Sequence, residues 1–288
     1  MRRLISMAKG TLMMRTFVYC FVVVACWASV VATGEAQMIV GHRGASFDAP
    51  ENTLAAFQEA WKQKADAIEG DFYLTKDGHI VCLHDKTTER TTAGVAKLNP
   101  AESTLEQLRD LDVGSWKHEK YAGERIPLLE EVLATVPQTG KILVEIKCGP
   151  EIVEPLRIVL EKSGLRPEQI VIICFNEEVV KQCREKMPQY KANWLTSYKQ
   201  NKLTGKWAPD LGTVLKKLES TKATGLGTQG RDEVVTAEFV RDIRKAGIEC
   251  HVWTVNEADQ AKRYAELGFD SITTDKPAEI RKAILGGS

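Results

Sequence analysis

Between Met38 and Leu285 the chain alternates short apolar runs with longer amphipathic ones, and this alternation constrains the fold more than any other feature. Strands are expected near Met38–His42, Ala67–Leu74, Lys141–Lys147, Ile170–Phe175, Lys191–Leu195, Gly225–Thr228, Ile248–Val255 and Ser271–Thr274. A helical pattern follows each of them, from Thr53–Gln63, with Asn52 as its expected cap, to Ala278–Leu285. Strands separated by helices run parallel, because a tight turn cannot join parallel neighbours. Eight such units in about 250 residues predict an α/β fold of the (β/α)8 TIM-barrel type. The stretch at about 86–125 is polar and irregular apart from a helical turn near Leu105–Leu111, and 197–210 reads as a loop carrying Trp207. The competing architecture is a doubly wound open sheet. Neither a Gly-rich dinucleotide fingerprint nor a phosphate-binding P-loop supports it.

Residues 1–36 stand outside the alternation. Arg2, Arg3, Lys9 and Arg15 precede the apolar run 17–32, which ends in small residues. That is the pattern of a secretory signal peptide, with Met13 or Met14 as alternative starts, and it leaves 37–288 as one domain. The location expected is extracytoplasmic, periplasmic or secreted, with no membrane span in the mature chain. Two alternatives stay open. One is an uncleaved anchor helix. The other is a lipid anchor at Cys26, because Val23-Val24-Ala25-Cys26 resembles a lipobox. The formal net charge is zero, so nothing calls for nucleic acid as a partner. Cys82, Cys148, Cys174, Cys183 and Cys250 follow the leader without a CxxC pair. They read as buried thiols, not as a disulfide framework or zinc site.

Polar residues gather at the ends of the expected strands. His42 and Arg43 end the first, and Glu145 and Lys147 the third. Glu69 and Asp71 lie on the second, two apart and so on one face. Asp77-Gly78 reads as a two-residue hairpin turn, which would set Leu74 opposite Val81, Tyr73 opposite Cys82 and Asp71 opposite His84. Phe175, Trp194 and Trp253 lie at or near the ends of later strands. In a parallel barrel these ends form one mouth. Glu69, Asp71 and Glu145 would place three carboxylates together, and oxygen-only ligation suits Mg2+ or Ca2+. Arg43 and Lys147 add positive charge for a phosphate-like anion. His42 and His84 would then serve as acid and base in a phosphoryl displacement.

His42-Arg43-Gly44-Ala45 followed by Pro50-Glu51-Asn52-Thr53 resembles the opening motif of the glycerophosphodiester phosphodiesterase family. Glu69-x-Asp71, Leu74-Thr75-Lys76-Asp77-Gly78, His84-Asp85, Glu145-Ile146-Lys147, Trp253-Thr254-Val255-Asn256 and the ending Thr274-Asp275-Lys276-Pro277 follow in the family's order. The resemblance implies metal-dependent cleavage of small glycerophosphodiesters, such as glycerophosphocholine, to glycerol 3-phosphate and an alcohol. It implies a (β/α)8 barrel with a small insertion after the second strand at about 86–125, His42 and His84 as the acid/base pair, Glu69, Asp71 and Glu145 as metal ligands, and Arg43 and Lys147 as phosphate contacts. In some family members a neighbouring glycerol hydroxyl attacks first. Gly70 departs from the family's usual bulkier residue, which would loosen the second strand, and Cys174-Phe175 stands where Ser-Phe is common.

Two other functions remain in view. A phospholipase D-like or phosphoinositide-specific barrel acting on intact lipids would need an apolar rim, for which Phe47, Trp116 and Trp207 are the loop candidates. A non-catalytic phosphodiester-binding relative would need the same pocket without the chemistry. Trp253 is expected to form a pocket wall. Glu51 and Asn52 read as loop and cap residues, His79 and His118 as surface, and His251 as facing the barrel interior.

Overall fold

The computed structural model describes residues 37–286. Residues 1–36, with Cys20 and Cys26, on which the signal-peptide, anchor-helix and lipid-anchor readings fall, lie outside the described residues. Eleven strands are present among them: β1 Met38–His42, β2 Ala67–Leu74, β3 Ile80–Cys82, β4 Lys141–Ile146, β5 Ile170–Cys174, β6 Lys191–Thr196, β7 Lys199–Gln200, β8 Trp207–Ala208, β9 Gly225–Gln229, β10 Glu249–Trp253 and β11 Ser271–Thr274. Eight of these pair in parallel in the order β1-β2-β4-β5-β6-β9-β10-β11, and β1 pairs with β11 to close the ring. The fold is therefore a (β/α)8 barrel, with a helix after each barrel strand from Leu54–Lys62 to Pro277–Leu285. Among the described residues no helix is long and apolar enough to cross a membrane.

The strand alternation builds two cores. Inward positions Val40, Ala67, Leu143, Val171, Ile173 and Leu195 fill the lower barrel. Outward positions such as Ile68, Phe72, Ile142, Val144 and Ile172 pack against the helices, with Phe57 fully buried among them. Each such side chain contributes about 1.5–3 kcal/mol by leaving water. Gly70 belongs to this outward layer and does not loosen β2. A Cβ there would sit 3.0 Å from the Phe57 ring and 3.3 Å from Cys82 Sγ, so the missing side chain is what lets the first helix pack closely. All five described cysteines are free thiols; Cys148 is half-buried and the others are buried.

The hairpin departs from its expected register by one residue. Phe72 pairs with Cys82, Tyr73 with Val81 and Leu74 with Ile80. Thr75 and His79 close the loop (Thr75 N to His79 O, 2.8 Å), leaving three residues between them. Gly78 takes φ +86°, the left-handed third position of such a loop, which glycine adopts without strain. Asp71 thus lies opposite Leu83 (Leu83 N to Asp71 O, 2.9 Å), and His84 comes from the segment beyond β3. The segment expected as a loop after β6 contains the small β7–β8 hairpin. The insertion carries the helix Leu105–Arg109 and a core of its own, in which Leu108, Val113 and Ile126 pack on Tyr73, Val81 and Leu83.

Candidate active site

Register in the parallel sheet assembles the carboxylates. Asp71 on β2 lies beside Glu145 on β4, and His42 on β1 lies beside Glu69 on β2. All three acids face the barrel axis, and one oxygen from each lies within 4.8 Å of the others. Two backbone features hold them there. Arg43 adopts φ +54° straight after β1 and so aims its N–H at Glu69 Oε2 (2.9 Å). Gly44 follows at φ +82°, where a Cβ would come 2.4 Å from the Ala56 carbonyl carbon; only glycine fits between the turn and the helix.

Asn52 has a larger role than capping. The helix cap is Thr53, whose side chain accepts from Ala56 N. Asn52 is buried at φ +58°, donates from Nδ2 to Asp71 Oδ2 (2.8 Å) and accepts from Asp71 N (3.2 Å). It fixes the deepest carboxylate from both sides.

The acids respond unequally to burial. Burial pushes Glu69 well above the usual carboxylate range, and the charges of Asp71 and Glu145 push it further. Glu145 is raised by burial and by Asp71. Burial would raise Asp71 too, but Lys147 and Arg43 outweigh it and hold that carboxyl low. Lys147 Nζ lies 2.7 Å from Glu145 Oε1 and 3.2 Å from Asp71 Oδ1. Glu69 Oε1 is buried without a hydrogen-bond partner. An unpartnered buried oxygen inside a mutually repelling, all-oxygen cluster fits a hard divalent cation such as Mg2+ or Ca2+.

Both histidines line the same cavity as Glu69, Glu145, Arg43 and Lys147. Each carries a carboxylate at Nδ1. Asp275 Oδ1 lies 2.6 Å from His42 Nδ1, and Asp85 Oδ1 lies 2.7 Å from His84 Nδ1. Such a partner fixes the tautomer and leaves Nε2 to act. Asp275 also accepts from Ser46 Oγ (2.9 Å) and Asn256 Nδ2 (2.6 Å). Burial alone would raise its carboxyl, but these donors, His42 first, pull it down to about 2. Asp85 is held at about 2 by Arg90 first and then His84. Arg90 reaches from the insertion to Glu51, which accepts in turn from Arg43 (3.0 Å). A chain of ion pairs thus ties the insertion to both His84 and Arg43. Burial lowers His84, and Arg43 and Lys147 add to this against the opposing pull of Asp71 and Asp85.

The cavity holds about 170 Å³ and runs down the barrel axis from the carboxylates. Phe175 and Trp253 stand at its wall with ring centroids 5.5 Å apart, edge to face. Phe175 is 44% exposed. Trp194 does not enter the cavity. It points outward, donates to Phe175 O (3.1 Å) and lies under Lys217. His251 lines the inner end of the cavity, with Nδ1 on Ser271 Oγ at 2.8 Å. His79 and His118 are on the surface. Residues that sequence reasoning left without a role are Asp275, Asn256, Asp85, Arg90 and Glu51. Asp275, Asn256, Asp85 and Glu51 sit inside the quoted motifs, which was their only signal.

The family profile described as "Glycerophosphoryl diester phosphodiesterase family" matches residues 42–279. A protein named "Glycerophosphodiester phosphodiesterase" from Caldanaerobacter subterraneus is 32% identical over 255 residues, covering 87% of this chain and 98% of that one. A Bacillus subtilis protein of the same name is 31% identical over 265 residues, covering 86% and 87%. Among solved structures, an Oleispira antarctica phosphodiesterase in complex with the product sn-glycerol-3-phosphate is 26% identical, with a TM-score of 0.74, over 86% of this chain and 96% of that one.

Proposed function

This chain belongs to the glycerophosphoryl diester phosphodiesterase family, a family of phosphoric diester hydrolases, and from that premise we propose that it cleaves small glycerophosphodiesters to glycerol 3-phosphate and an alcohol with a divalent cation and two histidines. The observation that carries the reading is a three-carboxylate cluster, of which Glu69 and Glu145 line a cavity shared with two carboxylate-held imidazoles, Arg43 and Lys147. The product held by the Oleispira relative agrees with it.

Glu69, Asp71 and Glu145 would hold the cation. When bound, Mg2+ or Ca2+ supplies positive charge where the phosphoryl oxygens become more negative. Arg43 and Lys147 bind and orient the diester phosphate. The attacking oxygen comes from water or from the glycerol's own neighbouring hydroxyl. In the water route, its proton passes to Nε2 of one imidazole as the new P–O bond forms. The P–O bond to the alcohol breaks, and the alcohol oxygen takes a proton from Nε2 of the other ring. Burial favours the neutral, accepting form of His84, the form that a base needs. Asp85 and Asp275 hold the rings and stabilise positive charge on them. Phe175 and Trp253 form the wall against which the substrate packs.

Glycerophosphocholine turnover tests the reading. His42→Ala or His84→Ala should each lose at least about 100-fold in kcat, the scale of general acid–base catalysis. Near-normal turnover in either variant would reject the assignment. The leader-like first 36 residues support an extracytoplasmic location, with lipid attachment at Cys26 as the variant reading. Protection of the enzyme from external protease in cells with a permeable envelope would refute export.

A further inference from the structure

Large apolar side chains left exposed are unevenly distributed over the barrel. Among the described residues they are Phe47, Val95, Ile158, Phe175, Leu203 and Leu285. Three of the six, Phe47, Phe175 and Leu203, lie in segments that follow the C-termini of barrel strands, on the face that carries the cavity mouth. Phe47 follows β1 and is 58% exposed, with Lys276 Nζ 4.8 Å from its ring centre. Val95 belongs to the insertion, which Lys117 and Tyr121 tie to the segment carrying Phe47. Phe175 follows β5. Leu203 follows β6, at the tip of the β7–β8 hairpin, and is 97% exposed. Isolated exposed apolar residues need no explanation, but three on loops of one face, with Phe175 lining the cavity itself, give that face apolar tips.

The hairpin adds charge of one sign. Residues 199–207 contain Lys199, Lys202 and Lys206 and no acidic residue, and all three lysines are exposed. The hairpin base is anchored. Gln200 pairs with Trp207, Arg231 stacks on Trp207 at 5.1 Å, and Tyr198 N donates to Gln229 Oε1. An anchored loop that presents an exposed leucine between lysines meets the chemistry of an anionic bilayer: acyl chains for the leucine, lipid phosphates for the ammonium groups.

We propose that the mouth face docks on an anionic lipid surface through the β7–β8 hairpin, with Leu203 and the apolar tips of the neighbouring loops entering the headgroup layer. The cavity then opens towards the membrane, where phosphodiesters released from lipids appear. Docking does not depend on hydrolysis, so the two readings fail separately.

The test is sedimentation with vesicles, using the chain from Ala36 onward so that the apolar leader plays no part. That part folds alone: the barrel closes within it, and a relative of almost the same extent consists of little else. The expected result is binding at low salt to phosphatidylcholine vesicles containing phosphatidylglycerol, and none to pure phosphatidylcholine. Replacing Lys199, Lys202 and Lys206 together by Gln should weaken partitioning by about 100-fold, from the usual contribution of a lysine near an anionic surface. Leu203→Asp should weaken it as well. Both variants should turn over soluble glycerophosphocholine like the parent. Equal binding to neutral and anionic vesicles, no binding to either, or unchanged binding in the triple variant would overturn the proposal. So would a raised KM for the soluble diester without any vesicle binding, which would make the hairpin a lid.

Discussion

Replacing Asp275 by Asn removes one charge while keeping the shape, and the structure says how the site must respond. Asp275 Oδ1 faces His42 Nδ1 at 2.6 Å, and its other oxygen accepts from Asn256 Nδ2 at 2.6 Å. Asn256 cannot turn its amide around, because its Oδ1 already accepts from Thr274 Oγ1 (3.0 Å) and Asp275 N (2.9 Å). The new amide must therefore give its oxygen to Asn256 and its NH2 to His42. Nδ1 then has to accept, and the ring is trapped in the wrong tautomer. A hydrogen bond to a charged group contributes about 1.5–3 kcal/mol, so kcat should fall roughly 10- to 150-fold. KM should change little, since Asp275 is placed behind the ring and not against the substrate. The carboxyl also stabilises the fold. Its native value of about 2, against 3.8 as a free side chain, corresponds to roughly 2 kcal/mol. Because the native value is the lower one, that stability is present above about pH 4 and lost as pH falls through about 2. Asp275→Asn should therefore be less stable at neutral pH and lose less on acidification. Steady-state kinetics and urea melts between pH 7 and pH 2 read both effects. A kcat within twofold of the parent would refute the argument that Asp275 sets the His42 tautomer.

Other expectations follow from the same geometry. Glu69→Gln should weaken divalent-cation binding by at least about 10-fold in calorimetric titration. In EDTA it should raise Tm by a few degrees, because a buried acid with one unpartnered oxygen is removed from among like charges; a lower Tm would contradict this. Arg90→Ala loosens Asp85 and Glu51 from the insertion. Since Arg90 is partly exposed, kcat should fall no more than about 5-fold, and a loss of 100-fold would give Arg90 a direct catalytic role. Gly70→Ala forces a methyl against Phe57 and Cys82 and should cost about 1–3 kcal/mol in a urea melt, with no change in KM; a neutral result would mean that the first helix shifts freely.

The barrel was legible because parallel strands buried on both faces are near-continuous apolar runs and each is followed by an amphipathic helix. The strand-end acids and histidines were legible for the same reason: chain order fixes the end of the barrel at which they emerge. The hairpin register was not, because Asp77-Gly78 fits both a two-residue and a three-residue turn, and only the Thr75–His79 pairing decides between them. The cap of the first helix was misplaced by one residue, since Asn52 and Thr53 are both good caps. The carboxylates behind the histidines were hardest to read. Asp275 is 233 residues from His42, and only closure of β11 against β1 makes them neighbours. Asp85 adjoins His84, yet adjacency alone does not show that its side chain turns back to the ring.

The account rests on a cation held by Glu69, Asp71 and Glu145, and the most direct measurement is glycerophosphocholine turnover by chelator-stripped protein. The account predicts no glycerol 3-phosphate in EDTA, recovery when Mg2+ or Ca2+ is restored, and no recovery at moderate cation concentration in Glu145→Ala. Full turnover by the stripped protein, or full recovery in Glu145→Ala, would contradict it.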